Sequence, residues 1–526
     1  MEKFMGRVVL SPTMGRLNEV VGNVLTPVTL SLAAIIIITL VSQRKIQGSF
    51  KGAPVWPFVG VFPSLMLNLG RLYDWYNDIL AVNGGTLKFP GLFWKTTILT
   101  ADPANIEYMV KTAYHNFGKG DYFKEMFGDL FGDSILVQDG EPFKQMNKSI
   151  CMAFALPAFR NNAITTLSTS VNQKLIPLLS HAAANNIPLD LQDVFRRLSF
   201  DNTCLVGFGI DPASLALDLS TVPFLDAFDE AVGTLLLRVI VPRFCWKMMK
   251  FLRIGSEARL LSSRAIVYKF VDDLLARLSA AGYDLYDSPC LGAFWTYIQL
   301  ERESGRVYSL DMIRSSMVSL IMAGKDTLSA GLTYFFWLVA QHPEVEAKIL
   351  AELQGVLNKR STNKEEWSFG FEEVKQMEYL HAALSESLRL YPPIVAEGTQ
   401  AAEDDVLPDG TPTEKGAQVY YSIYSCGRLE SVWGEDCLQF RPERWLQNER
   451  FVRKSDFKFA VFNAGPRRCA GREFAYWHMK WAAASILIRY RIKMVDKHPV
   501  VPKFTIVLSM KHGLLVTVHP RDRDRV

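Results

Sequence analysis

The chain has 526 residues, 49% of them hydrophobic and 21% charged, with 58 Lys and Arg against 54 Asp and Glu. That composition excludes disordered, collagen-like and disulfide-framework classes, and a net charge of +4 gives no reason to expect a nucleic-acid partner. The seven Cys are scattered and form no CxxC pair, so neither a zinc ribbon nor a redox dithiol is indicated and the compartment reads as reducing.

In chain order, residues 1–19 form a short leading segment. Residues 20–43 carry no charge and include Ala33-Ala34-Ile35-Ile36-Ile37-Ile38, long enough at ~1.5 Å per residue to cross ~30 Å of hydrocarbon. We expect a transmembrane anchor here. A cleaved signal peptide fits less well, because no small-residue cleavage site follows directly and Arg44 and Lys45 act as a stop. Arg44, Lys45 and Lys51 favour a cytosolic C-terminal body. Residues 44–60, with Pro54 and Pro57, read as a stiff hinge, and residues 61–526 as one catalytic domain.

Thr86–Phe89, the turn Pro90-Gly91, and Trp94–Thr100 predict a hairpin rich in β-branched and aromatic residues. Asp102-Pro103 is a helix start, Asp at N-cap and Pro at N1. Helical periodicity then dominates to about residue 390. A second β region is expected over Asp405–Tyr424 around Pro408-Asp409-Gly410, and a last hairpin over Phe504–Val518 around His512-Gly513. The fold class is therefore mainly α with small β-sheets. Asp311 to Gln341 is almost wholly apolar or small. It predicts a helix starting at Asp311, stopping at His342-Pro343 and running through the core. A second membrane span is disfavoured by Arg314, Lys325 and Asp326 within it.

Three groups of residues carry chemistry. In Phe462-Asn-Ala-Gly465-Pro-Arg467-Arg468-Cys469-Ala-Gly471 the glycines describe a tight loop whose N–H groups can face the sulfur. Arg467, Arg468 and the start of a following helix would favour the thiolate. A thiolate with no second Cys or His nearby suits one axial position on a haem iron, while a buried Cys in a glycine-rich turn is the plainer alternative. In Ala323-Gly324-Lys325-Asp326-Thr327 a glycine in a helix interior costs about 1 kcal/mol, and the close approach of a flat cofactor would explain it. Thr327 can turn its hydroxyl to the carbonyl four residues back, opening a groove where an acid and an alcohol relay protons. The plainer alternative there is a helix kink with an exposed Asp. Glu386 and Arg389 share a helix face among leucines, which suggests a buried pair needing a further partner, and Arg444 offers one.

In this order the three groups resemble the cytochrome P450 superfamily over about residues 54–520. The stretches Leu191–Val194, Phe200–Asn202, Phe208–Pro212, Asp405–Gly410, Tyr421–Tyr424 and Trp433–Trp445 are similar to the plant fatty-acid ω-hydroxylase branch. The resemblance implies the cytochrome P450 fold and haem b as cofactor, with Cys469 as its iron ligand. Phe462, Gly465, Arg467, Gly471, Ala323 and Gly324 would line the cofactor, Asp326 and Thr327 would be catalytic, and Glu386, Arg389 and Arg444 would form a structural triad. It further implies O2 and a lipophilic substrate near Ile394 and Val395, with electrons from an NADPH–cytochrome P450 reductase. The setting would be the endoplasmic reticulum membrane, spanned once, with the catalytic domain cytosolic. The expected product is a long-chain fatty acid hydroxylated at its terminal (ω) carbon. A weakly active or non-catalytic haem-binding membrane protein, or a monooxygenase of another lipophilic substrate, stands as the alternative. That alternative is motivated by departures from the family pattern: Phe143 and Asn147 stand where the family has a Trp and an Arg that touch haem propionates, and Gly398-Thr399-Gln400 where a basic residue is usual. These lead us to expect a more loosely held haem.

Overall fold

The computed structural model describes residues 51–52, 54–56, 60–90, 96–280, 293–303, 305, 308–360 and 367–522. The leading segment, the expected anchor, most of the hinge and the turn at 91–95 lie outside them. The chain divides into two compact units, residues 1–67 with 89–95, and residues 68–88 with 96–526. In the first, Trp56 and Gly60 exchange backbone hydrogen bonds of 2.8 and 2.9 Å ahead of a short helix, Phe62–Leu67.

The second unit is mainly helical with small sheets. Asp102 caps the helix beginning at Pro103, its carboxylate accepting from Ala104 and Asn105 N–H. The largest sheet orders its strands Thr86–Pro90, Thr96–Thr100, Gln418–Ser422, Ala396–Ala401 and Phe117-Gly118. Thr96–Thr100 runs parallel to Gln418–Ser422, and Ala396–Ala401 antiparallel to it. In the expected second β region, Asp405–Val406 and Pro412–Thr413 pair antiparallel across the turn at Pro408-Asp409-Gly410.

The expected hairpin over Phe504–Val518 is not formed. Ser509–Met510 pairs with Pro502–Lys503, whereas Leu515–Pro520 pairs with Tyr490–Met494 and Leu189–Asp190. The turn at Gly513 sends the two strands to different sheets. A Cβ there would lie 2.1 Å from Asp190 Oδ2, so this turn closes against another element rather than on its own partner strand.

The long helix spans Leu310–Gln341, 32 residues or about 48 Å. Its cap is Ser309, whose hydroxyl accepts from Met312 N–H, two residues before the expected start at Asp311. Arg314 is paired with Asp272 and Asp311. The helix is buried in the fold, and among the described residues no helix is long and apolar enough to cross a membrane. Its two ends enter different apolar clusters: Ile313, Met317, Val318 and Ile321 pack with Phe200, Phe208 and Phe228, and Leu328, Leu332, Phe335 and Phe336 with Met479, Trp481 and Leu388. Residues 323–327 lie in the interval between.

Two histidines are held neutral in this interior. His478 is fully buried against Asn202, and burial pushes it down to about 3. His381, stacked against Tyr476 and Phe451, is also pushed down to about 3, by burial and by Lys480 and Arg472. Both titrate near 6.5 once unfolded, so the unfolded chain binds more protons between pH 3 and 6.5 and stability falls as pH drops through that window. From pH 7 to 5, His478 alone should remove about 2 kcal/mol. Urea unfolding of His478→Gln should show that much less pH dependence than the unaltered protein, and equal slopes would mean that His478 titrates normally.

Candidate functional site

The Cys469 loop is closed by its backbone. Cys469 N–H donates to the Phe462 carbonyl at 2.8 Å and Arg468 N–H to that of Gly465 at 3.2 Å. Gly465 has φ +61°, and a Cβ on it would lie 2.0 Å from the Val110 carbonyl oxygen. Only glycine lets the loop close against residues 108–112. Asn463 turns the chain into the loop, its Oδ1 accepting from Tyr421 Oη at 2.9 Å and from Ala464 N–H at 2.7 Å. The helix Arg472–Arg489 starts immediately after Gly471.

Cys469 is a free thiol with an accessible side chain. The surrounding protein pushes its pKa up by desolvation, while the Gly471 N–H and the Arg472 guanidinium act to lower it. This corrects the expected source of positive charge. Arg467 turns away to Asp139 and Gln138 and lies 3.9 Å over the Phe143 ring, and Arg468 acts on Cys151. Arg472, held by Asp456 at 3.1 Å, is the cation that acts on Cys469.

The helix Gly140–Ala155 covers the loop along one face. Phe143 underlies Arg467, Asn147 Nδ2 donates to the Pro466 carbonyl at 3.0 Å, and a Cβ at Gly471 would lie 3.6 Å from the Phe154 ring.

On the long helix, Ala323 is exposed between buried Ile321 and Lys325. Thr327 Oγ1 donates to the Ala323 carbonyl, which spends the hydroxyl proton on the helix and leaves its lone pairs facing outward. Lys325 is wholly buried, its Nζ bonded to Asp326 and, at 3.0 Å, to Asp229. Asp229 also pairs with Arg196 at 2.7 Å. Burial, then the Asp229 charge, raises Asp326 above the usual carboxylate range despite Lys325, so it can carry a proton nearer neutral pH than an ordinary Asp.

Gly324 has a different reason from the one expected. A Cβ there would lie 2.3 Å from Thr203 Oγ1 and 2.8 Å from its Cγ2. The missing side chain lets the helix Leu191–Phe208 approach, and Ala323 is the residue that opens outward. Ile394 and Val395 are half-buried. Ile394 bridges Val507 through the backbone, and the Val395 carbonyl accepts from Tyr424 N–H at 3.0 Å.

Glu386, Arg389 and Arg444 come together as a buried group. The Glu386 carboxylate accepts from Arg389 at 2.7 and 2.8 Å, Arg444 Nε at 3.3 Å, Arg441 N–H at 3.1 Å and Trp445 Nε1 at 2.9 Å. At Gly331 the long helix meets the helix that follows the Cys469 loop and the helix of Glu386: a Cβ there would lie 3.0 Å from Met479 Sδ and 3.3 Å from Leu388 Cδ2.

The donor set fits a haem. Among the described residues no group of three His, Cys, Asp or Glu side chains could hold a metal by itself. A single thiol, flanked by an N–H and a cation that favour its anion, is suited to one axial position on an iron otherwise held by a macrocycle. Arg467 Nε is buried without a partner, a donor available to an acidic group of such a cofactor. Sequence reasoning missed Asp139 and Arg472. Arg472 follows the loop directly and was legible. Asp139, which organises Lys119, Gly120 and Arg467, had no local signal beyond its place before a helix.

A family model described as cytochrome P450 matches residues 52–517. The chain is 41% identical to cytochrome P450 86B1 of Arabidopsis thaliana, across 91% of this chain and 88% of that protein. It is 37% identical to cytochrome P450 94B1 of the same plant, across 89% and 91%, and 34% identical to its alkane hydroxylase MAH1, across 90% and 95%.

Gly324→Ala should destabilise by about 1–3 kcal/mol through overpacking against the stiff Thr203 side chain, although Ala is the better helix former. In a Thr203→Ala background the same change should be neutral or stabilising. Urea unfolding of the four proteins measures the coupling, and additive effects would remove the Thr203 contact as the reason for glycine.

Proposed function

The chain belongs to the cytochrome P450 family and is a haem b monooxygenase, and from that premise we propose that its substrate is a long-chain fatty acid, hydroxylated at the terminal carbon. The observation that carries the substrate class is similarity across nine-tenths of the chain to a protein named alkane hydroxylase, together with the stretches similar to plant fatty-acid ω-hydroxylases. Both point to an unbranched apolar chain.

Haem, when bound, would supply oxygen activation, and Cys469 would hold its iron as the thiolate. The protein does the rest. Cys469 provides the thiolate, and Phe462, Gly465 and Gly471 shape its loop. Ala323 leaves room on its face of the long helix. Asp326, with its raised pKa, holds a proton, and Thr327 passes it on once its hydroxyl turns from the Ala323 carbonyl. Glu386, Arg389 and Arg444 brace the loop from behind. Ile394 and Val395 contact the substrate chain and hold its end in place. Because terminal C–H bonds are stronger than internal ones, selectivity for the terminal carbon is steric.

Electrons come from an NADPH–cytochrome P450 reductase, and O2 is the co-substrate. The protein works at the endoplasmic reticulum membrane, anchored by residues 20–43 with its body cytosolic. The helix Arg243–Leu252 adds a second lipid contact, with Phe244, Met248, Phe251 and Leu252 exposed by 60, 56, 85 and 52% and Arg243, Lys247 and Lys250 alongside.

Reconstituted with reductase and NADPH, the protein should convert long-chain saturated fatty acids mainly to ω-hydroxy acids. Mass spectra showing only in-chain alcohols, or turnover confined to sterols or phenolics, would overturn the proposal.

A further inference from the structure

Among the described residues two cysteines have exposed side chains, Cys151 and Cys469, while Cys204, Cys426 and Cys437 are buried and Cys245 is half-buried. The monooxygenase reaction has a use for Cys469 and none for Cys151. The fold nevertheless brings the second thiol to the first. Asn147, Cys151 and Phe154 stand at i, i+4 and i+7 on the helix Gly140–Ala155 and so form one stripe along it.

Both ends of that stripe touch the Cys469 loop. Asn147 Nδ2 donates to the Pro466 carbonyl at 3.0 Å. The Phe154 ring lies 3.6 Å from the point where a Cβ on Gly471 would stand, and that point is 3.9 Å from Cys469 Sγ. Cys151 lies between these two contacts, its Sγ 3.8 Å from Asn147 Oδ1, on the side chain already bonded to the loop. Arg468 acts electrostatically on Cys151, and Cys151 on Cys469.

We propose that Cys151 is the resolving thiol of Cys469, capturing it as a disulfide when hydrogen peroxide oxidises the haem-free chain. A cysteine oxidised to the sulfenic acid condenses with a neighbouring thiol, whereas one with no thiol in reach goes on to sulfinic and sulfonic acids that thiols do not reverse. The Cys469 thiol and one peroxide give the sulfenic acid and a water. The Cys151 sulfur then attacks that sulfur: the S–S bond forms, the S–O bond breaks, and the departing hydroxide leaves with the Cys151 proton as a second water. The two thiols lose two electrons and two protons in all, and the peroxide becomes two waters. While Cys469 holds iron its sulfur is committed, so the bridge belongs to the chain before haem enters or after haem is lost. Its consequence is that the ligand sulfur stays recoverable. A disulfide needs its two Cβ atoms about 4 Å apart, so formation of the bridge also reports the loop closing on the helix.

The test starts from the purified ferric holoenzyme, treated with hydrogen peroxide until its Soret band is lost. Peptide mass spectrometry without reductant reads the state of Cys469. Dithiothreitol and then haemin are added, and the reduced carbon-monoxide band is measured as a fraction of the band before treatment. In the unaltered protein a linked Cys151–Cys469 peptide should be the main form of Cys469, and the recovered fraction should be at least threefold that of Cys151→Ala. In Cys151→Ala, Cys469 should be found as the sulfinic or sulfonic acid. Cys245→Ala, which removes a half-buried thiol elsewhere, should behave as the unaltered protein does. Absence of the linked peptide from the unaltered protein, or equal recovery in Cys151→Ala, overturns the proposal. Should Cys151→Ala fail to fold, the peptide map of the unaltered protein decides alone. An unaltered protein with no thiolate-type band before treatment would overturn the haem assignment instead, and the peptide map would still decide for or against the bridge.

Discussion

A fully buried carboxylate cannot be left unsatisfied, and Glu386 accepts from five donors on four residues. Removing one partner of such a group typically costs about 3–5 kcal/mol. The constraint reaches the site through packing. Glu386 takes the indole N–H of Trp445, whose ring lies 4.7 Å from Phe459. Phe459 packs on Phe462 at 6.4 Å, and the Phe462 carbonyl receives the N–H of Cys469. Tyr476 closes the circuit, stacking on Phe462 and bonding to Ser385 beside Glu386. The position of the thiol therefore depends on an ion pair that never touches it.

The long helix is interrupted chemically rather than structurally. Both ends are anchored in apolar clusters. Between them the exposed Ala323 and the hydroxyl of Thr327 face outward, while Lys325, on another face, is buried in a chain of charges through Asp229 to Arg196. That chain fixes the rotation of the helix, because turning it would expose the apolar ends or strand an unpaired ammonium. Orientation of Asp326 and Thr327 follows from burial of their neighbour.

Much of this was legible because the strongest constraints are local. The glycines about Cys469, the i,i+3 spacing of Glu386 and Arg389, and the stop at His342-Pro343 are decided within a few residues. What could not be read depends on a distant partner. Ala396–Ala401 has little intrinsic strand preference and pairs only because Gln418–Ser422 and Phe117-Gly118 flank it. The strand after Gly513 goes to Tyr490–Met494 because that sheet edge buries it. Gly324 answers to Thr203 on another helix. The directions of Arg467 and Arg472 depend on Asp139 and Asp456. Sequence proximity to Cys469 points to Arg467 and Arg468, whereas the cation that acts on it is Arg472.

The central claim is that the buried Glu386 group holds the Cys469 loop in the shape a thiolate ligand needs. The reduced carbon-monoxide difference spectrum measures this directly. The unaltered protein should give the long-wavelength Soret band of a thiolate-ligated haem. Glu386→Gln, compared at temperatures where its helix content is intact by circular dichroism, should shift most of that band to the shorter wavelength of a neutral or displaced ligand. A full thiolate band in Glu386→Gln would show that the loop holds its shape without the buried carboxylate.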